Sequence, residues 1–413
     1  MKANLSYDPL KKDNFKNTTI EISGSKSESN RLLILEQYFK NLQIENVSNC
    51  NDTVVIQKAL KSQKNTIDIH HAGTAMRFLT AFFSAKEGKE IILTGSQRMK
   101  ERPIKILVDA LKQLGADIQY LENDGFPPLL IKGKKLNKNE VTLNANVSSQ
   151  YISALLLLAP VFKDGLTLNL QGEITSRPYL DMTITLLKKL EFNCKFEGNE
   201  IKIDAIQEIN NTKIIVEADW SSASYFYSIV ALSENKKITL RSFQKNSLQG
   251  DSKLSEIYEN FGVQTIFNDS TNEITISKTK VDQLTKVSLD LSDAPDIAQT
   301  IAVTCFGLNI SCTLTGLHTL KIKETDRLQA LKVELEKLGA EVIITNDSLK
   351  LFTSLHIKPN VLIETYEDHR MAMAFAPLAL LSNISIENPE VVNKSYPNFW
   401  KDLEKTGVLI DYK

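Results

Sequence analysis

The sequence has little cysteine, almost no net charge and no long apolar run, and each shortage excludes a class of protein. The four cysteines are scattered without a CxxC pair, which excludes a disulfide framework and a cysteine metal site, so a reducing cytoplasm is expected. Because 49 basic side chains accompany 50 acidic ones, no long-range field attracts nucleic acid or an anionic membrane. No stretch approaches the roughly 20 apolar residues of a membrane span, and residues 1–12 lack the apolar region of a signal peptide. Any anionic ligand must therefore be bound by local groups.

What is present is a globular composition, with 42% hydrophobic and 24% charged residues, in a chain of 413 residues that predicts two or three domains. A helical segment opened by small or polar residues recurs six times, and strand segments follow it. After a shorter first interval, the openings are spaced by about 72 to 75 residues; they lie near Ser27, Gly73, Ser148, Trp220, Asp296 and Asp368. Ordinary α/β alternation without repetition is the alternative.

The helix openings indicate the ligand chemistry. A helix N-terminus presents unpaired backbone N–H groups and a partial positive charge, so several that converge form an anion site without a high net charge. The pattern therefore favours small, strongly anionic substrates.

The first polar constellation is Ser23–Arg31, where a glycine turn leads into a helix and sets Lys26 and Arg31 beside serine hydroxyls. It suits phosphate, although a serine-capped helix with solvated charges is an equal alternative. The segment lacks the Walker pattern, which argues against a nucleotide-binding loop.

The second constellation joins His71–Arg77 to the basic loop Gln97–Pro103. Glycine at the opening lets an anion approach the backbone, and Arg102 can grip a carboxylate or phosphate with its planar guanidinium. The alternative is a solvated basic turn.

The third constellation is Lys323–Arg327 with Glu324 between its two cations. Lys323 and Arg327 are four residues apart, which predicts one shared helix face. Such a cluster is more often a solvent-exposed group of charges without a functional role. Further acid–base candidates and cations occur at similar openings, however, in Asp290–Asp296, Asp368–Arg370 and Lys394. The alternative for Asp296 is a helix cap after Pro295.

The chain resembles the 5-enolpyruvylshikimate-3-phosphate synthase family from Gly24 to Lys394, through motifs that occur in the family's order: Gly-Ser-Lys-Ser-x-x-x-Arg, Ala-Gly-Thr-Ala-Met-Arg, Arg-Met-Lys-Glu-Arg-Pro, Ser-Ser-Gln, Ser-Arg-Pro-Tyr, Lys-Glu-Thr-Asp-Arg and Asp-His-Arg-Met-Ala. The resemblance implies the two-domain α/β enolpyruvyl transferase fold, an inside-out α/β barrel in which each domain has three repeats of a βαβαββ unit. One domain would be residues 24–218 and carry most shikimate 3-phosphate contacts. The other would join residues 1–23 to 219–413 and carry the acid–base carboxylates, with the active site in a cleft that closes on substrate.

The resemblance also implies the reaction, transfer of the enolpyruvyl group of phosphoenolpyruvate (PEP) to the 5-hydroxyl of shikimate 3-phosphate in a cytoplasmic monomer without cofactor or metal. The residues expected to bind shikimate 3-phosphate are Lys26, Ser27, Arg31, Ser148, Ser149, Gln150, Ser176, Tyr179, Asp296, Thr319 and Lys323. Those expected to bind PEP are Lys26, Gly73, Arg102, Gln150, Arg327, Arg370 and Lys394.

In the mechanism that the resemblance implies, Asp296 takes the proton of the 5-hydroxyl. Glu324, with a pKa tuned by Lys323 and Arg327, gives a proton to the PEP methylene and later removes one, while Lys26 assists. Retained Gly73 predicts inhibition by glyphosate.

Three residues depart from the family pattern: His71 replaces a common asparagine, Phe78 a common proline, and Thr319 a substrate-binding asparagine. Two other functions remain. One is enolpyruvyl transfer to a UDP-amino sugar, against which the loop Gln97–Pro103 lacks a reactive cysteine. The other is a non-catalytic anion-binding relative, against which Lys26, Asp296, Glu324 and Lys394 are all retained.

Overall fold

The structure is a computed structural model that describes residues 1–8, 17–145, 148–172, 174, 177–206, 208–234, 236–280, 284–354 and 356–413. Its strands are β1 (Lys2–Tyr7), β2 (Asn17–Ile20), β3 (Leu42–Glu45), β4 (Thr66–Asp68), β5 (Glu90–Thr94), β6 (Asp117–Tyr120), β7 (Leu129–Lys132), β8 (Glu140–Asn144), β9 (Leu166–Gln171), β10 (Cys194–Glu197), β11 (Glu200–Ile203), β12 (Thr212–Ile215), β13 (Lys237–Arg241), β14 (Val263–Asn268), β15 (Glu273–Lys278), β16 (Lys286–Asp290), β17 (Ser311–Thr315), β18 (Val342–Ile344), β19 (Leu349–Leu351), β20 (Val361–Ile363), β21 (Ile384–Glu387) and β22 (Val408–Tyr412).

The α-helices are α1 (Lys26–Glu36), α2 (Asn51–Lys61), α3 (Gly73–Ser84), α4 (Gln97–Lys100), α5 (Lys105–Gln113), α6 (Ser149–Leu156), α7 (Arg177–Lys189), α8 (Trp220–Leu232), α9 (Leu254–Ile257), α10 (Ala298–Gly307), α11 (Arg327–Lys337), α12 (His369–Phe375) and α13 (Phe399–Glu404). Within the described residues, no helix combines the length and the apolar character needed to span a bilayer.

The chain divides into two compact units. The discontinuous unit comprises Met1–Gly24 and Glu217–Lys413, and the continuous unit comprises Ser25–Val216. In the described part of each unit there are three sheets.

Five of the six sheets have four strands and share one pairing pattern: two parallel strands are followed by two further strands, each paired antiparallel to its neighbour. In the continuous unit, for example, β4 runs parallel to β5, and β7 lies between β5 and β6 with antiparallel pairing to both. The same order recurs in β16–β17–β19–β18. These sheets are the repeated units that the spacing predicts.

The sixth sheet explains the shorter first interval. It contains only β3 and β12, paired in parallel, among the described strands, and the chain passes from α2 directly to β4 without a closing hairpin. The first repeat is therefore shorter because it lacks two strands.

The amino-terminal residues complete two sheets of the discontinuous unit. Strand β1 lies between β21 and β22 with antiparallel pairing to both, and β2 pairs in parallel with β13. Residues from opposite ends of the chain thus share a sheet.

The helices that open the repeats form the interior of each unit. In the discontinuous unit, α8, α10 and α12 are buried around almost their whole circumference, and α10 packs against both of the others. Their sequences allow this because they contain small and apolar residues on all faces. Ser221, Asp296 and Arg370 lie at or just before the N-terminal ends of these three helices.

Candidate active site

Arg327 is the centre of a charged cluster in the discontinuous unit. Its side chain is only 2% exposed, and Asp326 caps its helix, α11, by accepting a hydrogen bond from Gln329 N. The guanidinium donates to Asp296 Oδ1 at 3.0 Å, to Glu324 Oε2 at 3.0 Å and to Asp368 Oδ2 at 2.7 Å. Burial alone lowers the pKa of Arg327, but Asp368, Glu324 and Asp296 together raise it above its ordinary value. Arg327 therefore stays charged and fixes three carboxylates around one group.

The two predicted acid–base carboxylates are each shared between cations. Asp296 Oδ2 lies 3.0 Å from Arg370 Nη2, and Asp296 Oδ1 lies 4.0 Å from Lys323 Nζ. Glu324 Oε1 lies 2.9 Å from Lys394 Nζ. The structure thus brings together Asp296, Lys323, Glu324, Arg327, Arg370 and Lys394.

The local structure around Lys323 differs from the prediction. Lys323 and Arg327 do not share a helix face, because α11 begins only at Arg327 and Lys323 has an extended backbone. The Asp326 cap determines this start. Both cations nevertheless lie beside Asp296 Oδ1, at 4.0 and 3.0 Å.

Asp296 does not have the alternative role of a helix cap. It lies in a 3₁₀ turn, Pro295–Ile297, and neither this turn nor α10 has a side-chain cap. The carboxylate instead contacts two arginines. Asp368 does cap its helix, α12, and its carboxylate also binds Arg327.

Asp251 is a buried carboxylate that the sequence analysis did not assign. It is 5% exposed, accepts a hydrogen bond from Ser221 Oγ, and Ser221 Oγ in turn lies 3.3 Å from Arg370 Nη2. Burial and the charge of Asp296 raise the pKa of Asp251 to about 7, although Arg370 opposes this shift. The signal in the sequence was an acidic residue after a glycine in the polar segment between β13 and α9.

In the continuous unit, Lys26 begins the buried helix α1, which Ser25 caps. Lys26 Nζ lies 3.4 Å from Asp52 Oδ2, a contact that the sequence did not indicate. Ser27 follows at the first turn and is half-buried. The opening therefore presents a lysine and a serine at a helix N-terminus, as an anion site requires.

Arg31 lies in the interior. It donates to Thr183 Oγ1 at 2.7 Å, to the Tyr179 carbonyl at 3.1 Å and to the Ser27 carbonyl at 2.7 Å, and it stacks over the Phe78 ring at 5.4 Å. Burial lowers the pKa of Arg31 to about 10. These contacts position Tyr179 and Ser27, and they give the unusual Phe78 a packing partner.

The guanidinium of Arg102 lies directly over Gly73, where α3 begins. A Cβ atom added to Gly73 would come within 2.6 Å of Arg102 Nη1. Arg77 supports this arrangement, because it donates to the carbonyls of Gly73 and Pro103, each at 3.1 Å. Glycine is therefore required for the present position of Arg102.

The start of α6 lies beside the start of α3. Ser148 caps α6 by accepting from Gln150 N, and Gln150 Nε2 donates to Thr74 Oγ1 at 3.4 Å. Ser149 is buried in the first turn. Tyr179 lies half-buried on α7, and Ser176 lies outside the described residues.

Two departures from the family pattern also have defined surroundings. His71 is exposed, with Nδ1 2.9 Å from the Oγ of Ser96, the cap of α4. Thr319 lies in a 3₁₀ turn close to Lys323, and in the described part of the chain its buried Oγ1 has no hydrogen-bond partner. An unsatisfied hydroxyl of this kind suits a ligand contact. No group of three or more His, Cys, Asp or Glu among the described residues is placed to hold a metal ion.

Comparison with known proteins identifies the family. Residues 36–403 match the model of the family described as EPSP synthase (3-phosphoshikimate 1-carboxyvinyltransferase). The chain belongs to the EPSP synthase family. A 3-phosphoshikimate 1-carboxyvinyltransferase of Bacteroides fragilis is 47% identical over 393 residues, which cover 94% of this chain and 95% of the relative. One of Colwellia psychrerythraea is 36% identical and covers 95% of this chain and 97% of its own length.

Solved structures show the same fold. The EPSP synthase of Acinetobacter baumannii matches with a TM-score of 0.77, 21% identity and full coverage of both chains. Membership of the EPSP synthase family confirms the predicted family, the two-domain α/β fold and the enzyme class, 3-phosphoshikimate 1-carboxyvinyltransferase, over the UDP-amino-sugar alternative.

Proposed function

We propose that the chain transfers the enolpyruvyl group of PEP to the 5-hydroxyl of shikimate 3-phosphate and releases phosphate. The observation that carries this proposal is the pair of carboxylates, Asp296 and Glu324, that the buried Arg327 holds at 3.0 Å each, with three further cations alongside. Acid–base groups set among cations suit proton transfer on anionic substrates. The relatives' printed names state the same activity.

In the proposed complex, Arg327, Arg370 and Lys394 bind PEP together with Lys26, Gly73, Arg102 and Gln150. Shikimate 3-phosphate is bound by Lys26, Ser27, Arg31, Ser148, Ser149, Gln150, Ser176 and Tyr179, with Asp296, Thr319 and Lys323 at its ring hydroxyls. Helix N-termini and cations in both units support this assignment. It requires the two groups of residues to form one pocket, in a cleft that joins residues 24–218 to residues 1–23 and 219–413. Action as a cytoplasmic monomer remains a prediction.

The proposed reaction is an addition followed by an elimination. Asp296 accepts the proton of the 5-hydroxyl as its oxygen bonds to C2 of PEP, and protonated Glu324 gives a proton to C3, which forms a tetrahedral intermediate. Glu324 then removes a proton from the new methyl group while the bond from C2 to the phosphate oxygen breaks. The departing phosphate takes the proton held by Asp296, assisted by Lys26 and Lys394. Protons and bonds balance over the two steps.

The contacts of Glu324 support its proposed role as an acid. Without substrate, its charge is balanced by Arg327 and Lys394. PEP brings its own negative charge to the same two cations, so they stabilise the ionised form of Glu324 less.

The test is phosphate release by the purified protein with PEP and shikimate 3-phosphate, with UDP-N-acetylglucosamine as the rival acceptor. We expect release only with shikimate 3-phosphate, and release only with the UDP-sugar would overturn the proposal. Asp296→Asn and Glu324→Gln should each lose at least about a hundredfold in kcat. Glu273→Gln is the matched control, because its carboxylate pairs with Arg241 on β13, outside the cluster.

A further inference from the structure

Glu217, the first residue of the carboxyl-terminal segment of the discontinuous unit, carries a buried carboxylate that the proposed mechanism does not use. It is 5% exposed. Oε1 accepts hydrogen bonds from Trp220 Nε1 at 2.8 Å and from Gln244 N at 2.9 Å. Oε2 accepts from Ser247 Oγ at 2.5 Å and from Gln249 Nε2 at 3.3 Å. Four donors, all neutral, thus converge on one side chain.

A carboxylate at this position is costly. Burial raises the pKa of Glu217, and only the hydrogen bonds from Ser247, Gln244, Trp220 and Gln249 oppose the shift. Among the described residues, the groups that shift its pKa include no lysine, arginine or histidine. A buried charge held by neutral donors contributes little net stability, so its role lies in the geometry that it imposes.

That geometry joins two segments. Glu217 and Trp220 belong to the approach and first turn of α8, and the donors Gln244, Ser247 and Gln249 belong to the segment after β13. Gln249 adds two further bonds, since its Oε1 accepts from Trp220 N at 3.0 Å and its Nε2 donates to the Ala218 carbonyl at 2.8 Å. The start of α8 and the segment up to Gln249 are therefore fixed to each other.

The next residues on these two segments are the ones that contact the charged cluster. Ser221 follows Trp220, Asp251 lies two residues after Gln249, and the two side chains are hydrogen-bonded to each other. Ser221 Oγ lies 3.3 Å from Arg370 Nη2, which lies 3.0 Å from Asp296 Oδ2. If the start of α8 shifts relative to the segment that ends at Gln249, the contacts of Arg370 must therefore shift as well.

We propose that Glu217 is a positioning residue for PEP binding, acting through the Ser221–Asp251 pair on Arg370. The inference rests on the proposed function, because that function assigns Arg370 to PEP. Glu217 itself touches no substrate in this account.

The experiment compares Glu217→Gln with wild type. Glutamine keeps the shape of the side chain but replaces one accepting oxygen by an NH2 group. This group faces donors and cannot accept their hydrogen bonds. KM for PEP should rise by about tenfold, with kcat and the KM for shikimate 3-phosphate changed by less than about threefold. Lys236→Met is the control for destabilisation alone, because Lys236 is also buried in the discontinuous unit and its Nζ binds the Thr406 carbonyl.

A double-mutant cycle tests the route through Arg370. If Glu217 acts through Arg370, the combination with Arg370→Lys should raise the KM for PEP by less than the product of the two single effects. A full product would overturn the proposal, as would an equal rise in both KM values or the same rise in Lys236→Met.

Calorimetric titration of PEP into the protein without shikimate 3-phosphate, so that no turnover occurs, separates this proposal from the proposed function. Weaker PEP binding in Glu217→Gln supports the positioning role even if wild type releases no phosphate, which by itself would refute the proposed function. Equal PEP affinity in wild type and Glu217→Gln refutes the positioning role alone. A wild type that binds no PEP refutes both.

Discussion

At the scale of single residues, the site depends on charges that are shared between partners. Arg327 contacts Asp296, Glu324 and Asp368, residues that lie 31, 3 and 41 positions away along the chain. The sequence indicated the chemistry of Asp296 and Glu324, because acidic residues beside lysine and arginine suit proton transfer. It set Glu324 between Lys323 and Arg327, and the pair with Arg327 is present. It did not indicate that Glu324 also pairs with Lys394 or that Asp296 pairs with two arginines, since this depends on how distant segments pack.

Asp251 should make the stability of the protein depend on pH. Its pKa is raised from an ordinary 3.8 to about 7, first by burial and then by Asp296. Between these values the folded state binds more protons than the unfolded state, so stability falls as the pH rises through this range and is level above it. Because Asp251 and Asp296 interact, the titration belongs to the pair.

In the Asp251→Asn variant this side chain is uncharged at every pH, so the variant should not lose stability in this way as the pH rises. Its free energy of unfolding relative to wild type should therefore increase between pH 5 and pH 8, by on the order of 1–4 kcal/mol. Urea denaturation at both pH values measures the difference. A difference that is the same at pH 5 and pH 8 would show that Asp251 does not titrate in this range.

Gly73→Ala should weaken PEP binding specifically. The added methyl group would lie 2.6 Å from Arg102 Nη1, and the flexible arginine would move rather than the backbone. We expect the KM for PEP to rise by about tenfold and the KM for shikimate 3-phosphate to change little. Glyphosate, as a PEP competitor, should inhibit the wild type and should inhibit the variant less.

Steady-state kinetics with each substrate varied separately measure these effects. Unchanged wild-type turnover at glyphosate levels far above the KM for PEP would contradict the prediction.

At the scale of secondary-structure elements, the start of a helix is predictable where a capping residue directly precedes small and polar residues. Trp220–Leu232 begins after Asp219 and was placed correctly from its small and polar opening. Lys323 was placed on a helix in error, because the i,i+4 spacing gave no sign that Asp326 caps the helix later. The sequence also does not predict that β1 pairs with β21 and β22, because strands from opposite ends of the chain share no local sequence pattern.

Leu5 on the central strand β1 should contribute more to stability than Leu409 on the edge strand β22 beside it. Leu5 on β1 is buried, whereas Leu409 on β22 is half-exposed. Leu5→Ala should lower the free energy of unfolding by about 3 kcal/mol, whereas Leu409→Ala should change it by less than about 0.5 kcal/mol. Chemical denaturation of both variants gives the comparison, and equal losses would contradict the burial of Leu5 and the exposure of Leu409.

At the scale of the whole molecule, the sequence repeat predicts that the fold consists of repeated α/β units, but it does not predict which unit is incomplete. The regular spacing reflects sheets built from a parallel pair and a hairpin, and the short first interval reflects the missing hairpin of the β3–β12 sheet. A spacing pattern alone cannot show which strands are missing from a repeat. Nor can it show that β12, at the far end of the continuous unit, pairs with β3.

The continuous unit should fold by itself. Ser25–Val216 has its own sheets, its own buried helices α1, α3 and α6, and no need of strands β1 or β2. The isolated segment should show a cooperative thermal transition by circular dichroism. A non-cooperative transition would mean that its core depends on the rest of the chain.

The proposed function depends above all on Glu324 and Asp296 as the catalysts of addition and elimination on PEP. Turnover of PEP with shikimate 3-phosphate in D2O, followed by mass spectrometry of the product, tests it most directly. Because Glu324 exchanges its proton with solvent, the product formed by wild type should carry deuterium in its vinyl group. An unlabelled vinyl group at full turnover would contradict this prediction.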